Sequence, residues 1–278
     1  MNAYLTPTSL SEALAALAAR PFAVLAGGTD FYPARVGRAV DEDVLDISRI
    51  AELRGVREEA GAWRIGALVT WSELINTPLP DYFQGLKQAS REVGGVQIQN
   101  TGTIVGNVCN ASPAADGVPA LLALDAEVEL SGPQGLRRLA LGDFLIANRR
   151  TARGTAELVT AIRIPEWPAG TRADFFKLGS RKYLVISIAM VSIVIAVDAG
   201  GAISRCGIAV GACSAVARRL PDLERKLLGK PLSAELAALV TASELAPLSP
   251  IADVRGTPEY RIDAVQTLLK RSLARLSA

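Results

Sequence analysis

The stretch TGTIVGNVCNASPAAD, Thr101 to Asp116, crowds two glycines, two asparagines, a Ser-Pro pair and an aspartate into a short span. A second glycine turn, LAGGTD, lies upstream at 25–30. Gly27-Gly28 ends a short apolar run, and glycines there can take positive φ and bring backbone N–H groups close to a ligand. Thr29 adds a hydroxyl, and such a donor set suits a phosphate. Gly102, Gly106 and the hydroxyls of Thr101 and Thr103 repeat that chemistry. Asn107 can hydrogen-bond in both directions, and Asp116 is an acceptor of the kind that meets ribose or ribityl hydroxyls. Two convergent anion-binding turns fit a diphosphate better than a single phosphate. Taken alone, GGTD is more often a plain turn, and Asn110 and Ser112-Pro113 are ordinary loop residues. Neither segment matches the P-loop or the GxGxxG fingerprint. The residues by themselves therefore stop at a diphosphate-containing cofactor on neither of those scaffolds.

The chain has 278 residues and no histidine. That excludes a Ser-His-Asp triad, His-ligated zinc or haem, imidazole acid–base catalysis and flavin attached through histidine. Redox chemistry would have to come from a bound cofactor. Cys109, Cys206 and Cys213 form no CxxC pair, so they read as small buried hydrophobes of a reduced, cytoplasmic protein rather than a disulfide framework or iron–sulfur site. A net charge of +2 gives no electrostatic case for nucleic acid. The basic doublets Arg149–Arg150 and Arg218–Arg219 read as solvated surface. No signal peptide is read at the N-terminus. The apolar run 183–197 is shorter than the roughly 20 residues of a membrane span and rich in Val and Ile, which predicts a buried strand.

Along the chain, Ser9 and Glu12 have capping-box spacing for a first helix with Leu10, Leu14 and Leu17 on one face. Short strands follow at 21–26 and 44–47, then a hairpin around Glu59-Ala60-Gly61. Thr70 and Glu73 predict a second capped helix. The segment 81–93 has helical periodicity and 101–116 reads as a loop. A short helix is expected at 117–125 with Pro119 in its first turn, then a hairpin and a strand over 156–165. The Pro/Gly segment after it reads as a domain boundary. Beyond it come three strands, with a hairpin turn at Asp198–Gly201, and then mainly helix over 217–229, 233–245 and 257–276. Strands followed by packed helices signal an α+β domain.

With these residues in view, the chain resembles the FAD-binding medium subunit of the molybdenum hydroxylases, the family of xanthine dehydrogenase and carbon monoxide dehydrogenase. The resemblance spans nearly the whole chain. It rests on VLAGGTDFYP, on QIQNTGTIVGNVCNASPAADGVPALLALDAEVEL (the most specific), on FFKLGSRKYLVISIAMV and on RGTPEYRIDAVQTLLKR. It implies an α+β fold with two N-terminal subdomains of the PCMH-type FAD-binding fold, 1–57 and 58–170. A C-terminal domain, 171–278, would carry a three-stranded antiparallel sheet and helices.

Carried over position by position, the resemblance implies that FAD is held non-covalently by Val24, Leu25, Ala26, Gly27, Gly28, Thr29, Asp30 and Phe31. The second segment would contribute Thr103, Ile104, Gly106 and Asn107. Asp116 would meet hydroxyls on the flavin side, with Val93, Val159 and Lys177 near the flavin. No residue is assigned a catalytic or metal-binding role. The family's Thr-Ile-Gly-Gly-Asn has Val105 in place of its first glycine here, which would be strained if the position needed positive φ. Gln99 and Thr101 replace frequent arginines, and the four-cysteine insertion of some relatives is absent.

The resemblance further implies a cytoplasmic electron-transfer subunit. A [2Fe-2S] small subunit would supply electrons, a molybdopterin large subunit would oxidise the substrate, and NAD+, a quinone or oxygen would be the final acceptor, in an (αβγ)2 assembly. Neither molybdopterin nor an iron–sulfur cluster is expected on this chain. A mean hydropathy of +0.26 accords with surface buried against other chains, and equally with the alanine and valine content. Alternatives are a stand-alone FAD-dependent reductase, an assembly subunit that has lost its flavin, and a nucleotide-binding module without redox function.

Overall fold

A computed structural model describes residues 2–278. Ser9 caps the helix Leu10–Ala19, its hydroxyl accepting from the Glu12 amide at 3.3 Å. Ala13 and Leu17 face inward from it. The strand Val44–Asp46 is the middle of a small parallel sheet, flanked by Tyr4–Leu5 and Ala23–Leu25. Its middle position accounts for the unbroken apolar run there, with Val44, Leu45 and Ile47 all buried. The edge strand Ala23–Leu25 then runs directly into Gly27-Gly28.

A five-stranded antiparallel sheet follows, in the order Val56–Glu59, Ala62–Gly66, Leu158–Pro165, Glu127–Gly132 and Gly135–Ala140. The strand that comes last in sequence is central in space. It buries Leu158, Val159, Ile162 and Ile164 in the core, and its register shifts between Val159 and Ala161. The helices Trp71–Asn76 and Gln84–Glu92 and the wholly buried Gly117–Ala123 belong to the same core. The capping box predicted from Thr70 and Glu73 is present in both directions.

The C-terminal sheet has three long antiparallel strands, Arg172–Leu178, Ala189–Val197 and Ile203–Gly211, plus the two-residue edge Arg218–Arg219. Both its faces are covered. Met190, Val194 and Ala196 join the N-terminal core, while Val191, Ile193 and Ile195 pack with the helices Pro221–Leu227 and Pro258–Leu276. This double burial is why the segment reads as continuous apolar sequence.

Four expectations need correction. The strand predicted from 183 starts only at Ala189, opposite Leu178, because the partner strand ends at Leu178. Tyr183, Leu184 and Ile186 are exposed, and Leu184 takes φ +52°. The segment 101–116 is not all loop, since Ile104–Asn110 is helical. The stretch 233–245 forms two tight turns of 3-10 helix, Ala234–Leu239 and Ala242–Leu245, rather than one regular helix. Arg219 is not surface: it bonds to Asp125 at 2.6 Å and Glu224 at 2.5 Å, beside Arg205 on the same aspartate.

The sheet meets the N-terminal core through a close backbone approach. A Cβ on Gly207 would lie 2.0 Å from the Ala123 carbonyl oxygen at the end of the buried helix. Two backbones cannot yield as a side chain would, so Gly207→Ala is expected to cost about 1–3 kcal/mol. The midpoint of urea unfolding should fall accordingly, and an unchanged midpoint would contradict this packing.

Candidate functional site

A cavity of about 480 Å³ opens between the parallel sheet and the five-stranded sheet. One wall is the turn after Leu25. Gly28 has φ +71°, and the turn is closed by the Tyr32 amide on the Gly28 carbonyl and the Ala34 amide on that of Asp30. Among the described residues, no hydrogen-bond partner meets the backbone amides of Gly27, Gly28, Thr29, Asp30 or Phe31. A run of unpaired donors at a cavity wall is an anion-binding concavity.

The opposite wall is the helix Ile104–Asn110. Thr103 is its N-cap, with the hydroxyl accepting from the Gly106 amide at 3.0 Å. The second turn has fewer free donors than its sequence suggested, but the Thr103 and Val105 amides have no partner among the described residues. The Thr103 hydroxyl serves as a cap, the Thr101 hydroxyl donates to the Gln97 carbonyl, and the Gly102, Ile104 and Asn107 amides are all bonded within the chain. The helix also carries Asn107, whose side-chain oxygen Oδ1 is buried without a partner. Val105 is the second helical residue and is not among the positive-φ positions, so replacing a glycine there imposes no strain.

The two walls touch through their glycines. A Cβ on Gly27 would lie 2.0 Å from the Thr101 carbonyl oxygen, and one on Gly102 3.0 Å from the Thr29 hydroxyl. The sequence separation of these segments is thus closed by backbone contact.

Most of the anticipated residues line this cavity: Val24, Ala26, Gly27, Gly28, Thr29, Asp30, Phe31, Val93, Thr103, Gly106, Asn107 and Val159. Leu25 and Ile104 do not, because their side chains are buried in the core. Asp116 and Lys177 also lie off its wall and bond to each other at 2.7 Å. Ser187 donates to the other Asp116 oxygen at 2.7 Å, and Lys177 also donates to the Glu92 carbonyl at 3.2 Å. Burial pushes the Asp116 carboxyl up from its ordinary value, against the pull of Lys177 and Ser187. Lys177 is therefore a buried ion-pair partner, with a side chain only 5% exposed.

Eleven cavity residues were not anticipated as site residues, among them Arg35, Trp71, Cys109, Arg149 and Arg153. Arg149 was legible only as half of an exposed doublet, and it is exposed, yet it reaches Asp30 at 3.2 Å. Burial pushes the Cys109 thiol up to about 11, which makes it an unreactive wall rather than a nucleophile. No group of His, Cys, Asp or Glu suited to a metal is found among the described residues.

The arrangement can hold an anionic ligand along the unpaired amides, with the Asn107 side chain on the opposite wall. These are features that FAD fits, with its diphosphate for the amides and polar groups for the amide side chain. The ion pair at Asp116 carries a stability consequence. Lys177→Met would leave a carboxylate buried without its cation, with an expected cost of about 3–5 kcal/mol. Asp116 would then fold more readily when protonated, so its raised folded value means that stability falls as pH rises through it. Thermal unfolding of Lys177→Met should occur at a lower temperature at pH 7 than at pH 5, and adding Asp116→Asn should recover most of the loss.

Residues 1–167 match the family model of the FAD binding domain in molybdopterin dehydrogenase, and residues 174–276 match that of the CO dehydrogenase flavoprotein C-terminal domain. The chain is 32% identical to the nicotinate dehydrogenase FAD-subunit of Eubacterium barkeri over 256 residues, covering 90% of this chain and 86% of that one. It is also 32% identical to the carbon monoxide dehydrogenase medium chain of Afipia carboxidovorans over 285 residues, covering 99% and 96%. Among solved structures it resembles a chain of reconstituted CO dehydrogenase from Oligotropha carboxidovorans. The TM-score is 0.91 at 29% identity, with 100% of this chain and 98% of that chain covered.

Proposed function

Because this chain belongs to the FAD-binding subunits of the molybdopterin dehydrogenases, we propose that it binds FAD non-covalently in the cavity between its two glycine-bearing walls and passes electrons within a larger oxidoreductase. The observation that carries this reading is the run of unpaired amides over Gly27–Phe31 on one wall of a cavity whose other wall carries Asn107, the two walls brought together at Gly27 and Gly102. Bound flavin accepts and donates electrons singly or in pairs, which links one-electron and two-electron carriers.

The residues of this chain bind and orient. The amides over Gly27–Phe31 would receive the diphosphate, and Asn107 would fix its neighbourhood by hydrogen bonding. Thr103 and Gly106 hold the helix that aims Asn107. Ile104 and Leu25 would act from behind, by shaping the walls, while Val24 lines the cavity itself. Val93 and Val159 give the cavity apolar surface that excludes water from the ring system. Asp116, held by Lys177 and Ser187, would set the polarity beside the flavin. The lysine balances charge there without lying on the cavity wall.

On the same reading the chain divides into FAD-binding subdomains 1–57 and 58–170 and a C-terminal domain 171–278. The names of its relatives, medium chains and FAD-subunits of CO and nicotinate dehydrogenases, support an assembly with partner subunits, to which we assign a [2Fe-2S] small subunit and a molybdopterin large subunit. We assign electron delivery to NAD+, a quinone or oxygen, in an (αβγ)2 complex in the cytoplasm. No helix of the described residues is long and apolar enough to cross a membrane. The flavin-free alternative drew on Val105, and the unstrained helical position of that residue removes its motive.

The test is a visible spectrum of the purified chain before and after heat denaturation and filtration. Flavin bands are expected, with FAD recovered in the filtrate. Asn107→Leu should lower FAD affinity by about tenfold or more, through the loss of a buried hydrogen bond. A colourless protein that takes up no added FAD would overturn the assignment.

A further inference from the structure

Resting on the reading of the cavity as an FAD site, we propose that Arg149 is a third element of that site: a phosphate-facing cation carried on a hairpin outside both glycine segments. The two-stranded hairpin Leu145–Ala147 and Arg150–Thr151 turns at Asn148 and Arg149. Its tip docks on the C-terminal end of the helix Ile104–Asn110, where the Arg149 amide donates to the Ala111 carbonyl at 3.0 Å.

Arg149 sits at φ +55°, a left-handed conformation in which glycine is the comfortable residue. An arginine kept there points to a use for its side chain. That side chain lines the cavity. Its Nη1 donates to Asp30 Oδ2 at 3.2 Å on one wall and to Asn110 Oδ1 at 2.9 Å on the other.

A guanidinium has five N–H donors. Among the described residues, Nε and Nη2 of Arg149 have no partner, so one edge of the fork is held by both walls and the other edge is unspent. The other arginines of the cavity are more committed. Arg35 is bound to Glu42 and to the Phe31 carbonyl, and Arg153 donates to the carbonyls of Gly154 and Glu157. Asp30 also belongs to the run of unpaired amides, where its carboxylate would oppose an incoming diphosphate. Arg149 neutralises that charge and adds a planar donor set matched to phosphate oxygens.

The bland alternative is that Arg149 only fastens the hairpin. Arg149→Gly separates the two, because glycine suits the backbone while removing the cation. The flavin-stripped full chain, Arg149→Gly and Arg149→Lys would be titrated with FAD by flavin fluorescence at several salt concentrations. Thermal unfolding of each would be recorded without flavin.

For Arg149→Gly we expect FAD affinity lower by about tenfold or more, a shallower dependence on salt, and an unfolding temperature close to that of the parent chain. Arg149→Lys should retain the salt dependence and most of the affinity. An FAD affinity of Arg149→Gly within twofold of the parent would overturn the proposal and leave the FAD site standing. So would a loss of affinity matched by a loss of thermal stability in the flavin-free protein. A parent chain that binds no FAD at all would overturn the functional reading and this proposal together.

Discussion

Gly27 lies with its backbone against the Thr101 carbonyl, at a distance that admits no side chain, while Gly102 leaves the same kind of room for Thr29. Two segments far apart in sequence are thereby pressed together backbone to backbone. The rest of the site depends on that contact. It sets the turn with unpaired amides opposite the helix that carries Asn107, and it fixes the width of the cavity between them. Glycine at these positions serves close approach, whereas Gly28 serves its left-handed φ.

Charge is handled differently at the two ends of the buried helix Gly117–Ala123. Asp116, next to its first residue, is tied to Lys177 on the C-terminal sheet and to Ser187 on the loop that follows. Asp125, just past its last residue, meets Arg205 and Arg219 of the same sheet. The buried Asp116–Lys177 pair contributes little net stability but is costly to break, whereas the Asp125 pairs, about a third exposed, are screened and individually weaker. They therefore fix how the sheet sits on the helix, with the Gly207–Ala123 approach between them. An ion pair near the cavity is in this way also a joint of the fold.

Local features were legible where local physics decides. The Ser9 and Thr70 caps, the turn at Asp198–Gly201 and the helix begun by Gly117 and Pro119 depend on residues a few positions apart, and each was readable as such. The segment 101–116 misled because glycine and asparagine suggest a loop. Thr103 instead caps a helix whose interior tolerates Gly106 and carries Val105 without strain. The run from 183 misled for another reason: apolar residues were read as strand, but a strand needs a partner, and the neighbouring one stops at Leu178. Arg149 went unread because an exposed basic doublet carries no local sign of what it will touch.

The sequence by itself determined the chemistry available to this protein. It lacks histidine, carries no metal-ligating cysteine pattern, and places glycines, hydroxyls and an amide side chain in two segments that resemble a flavin-binding family. Those are matters of composition and short-range order, which a sequence states outright. Only the tertiary structure decided which of those groups are spent and which are left over. The Thr103 hydroxyl is consumed in capping and the Asp116 carboxylate in an ion pair, while the Gly27–Phe31 amides and Asn107 Oδ1 remain unpaired. The physical reason is that a hydrogen-bonding group is satisfied by whatever the fold brings within about 3 Å. Those partners arrive from across the fold, as Lys177 and Ser187 do for Asp116.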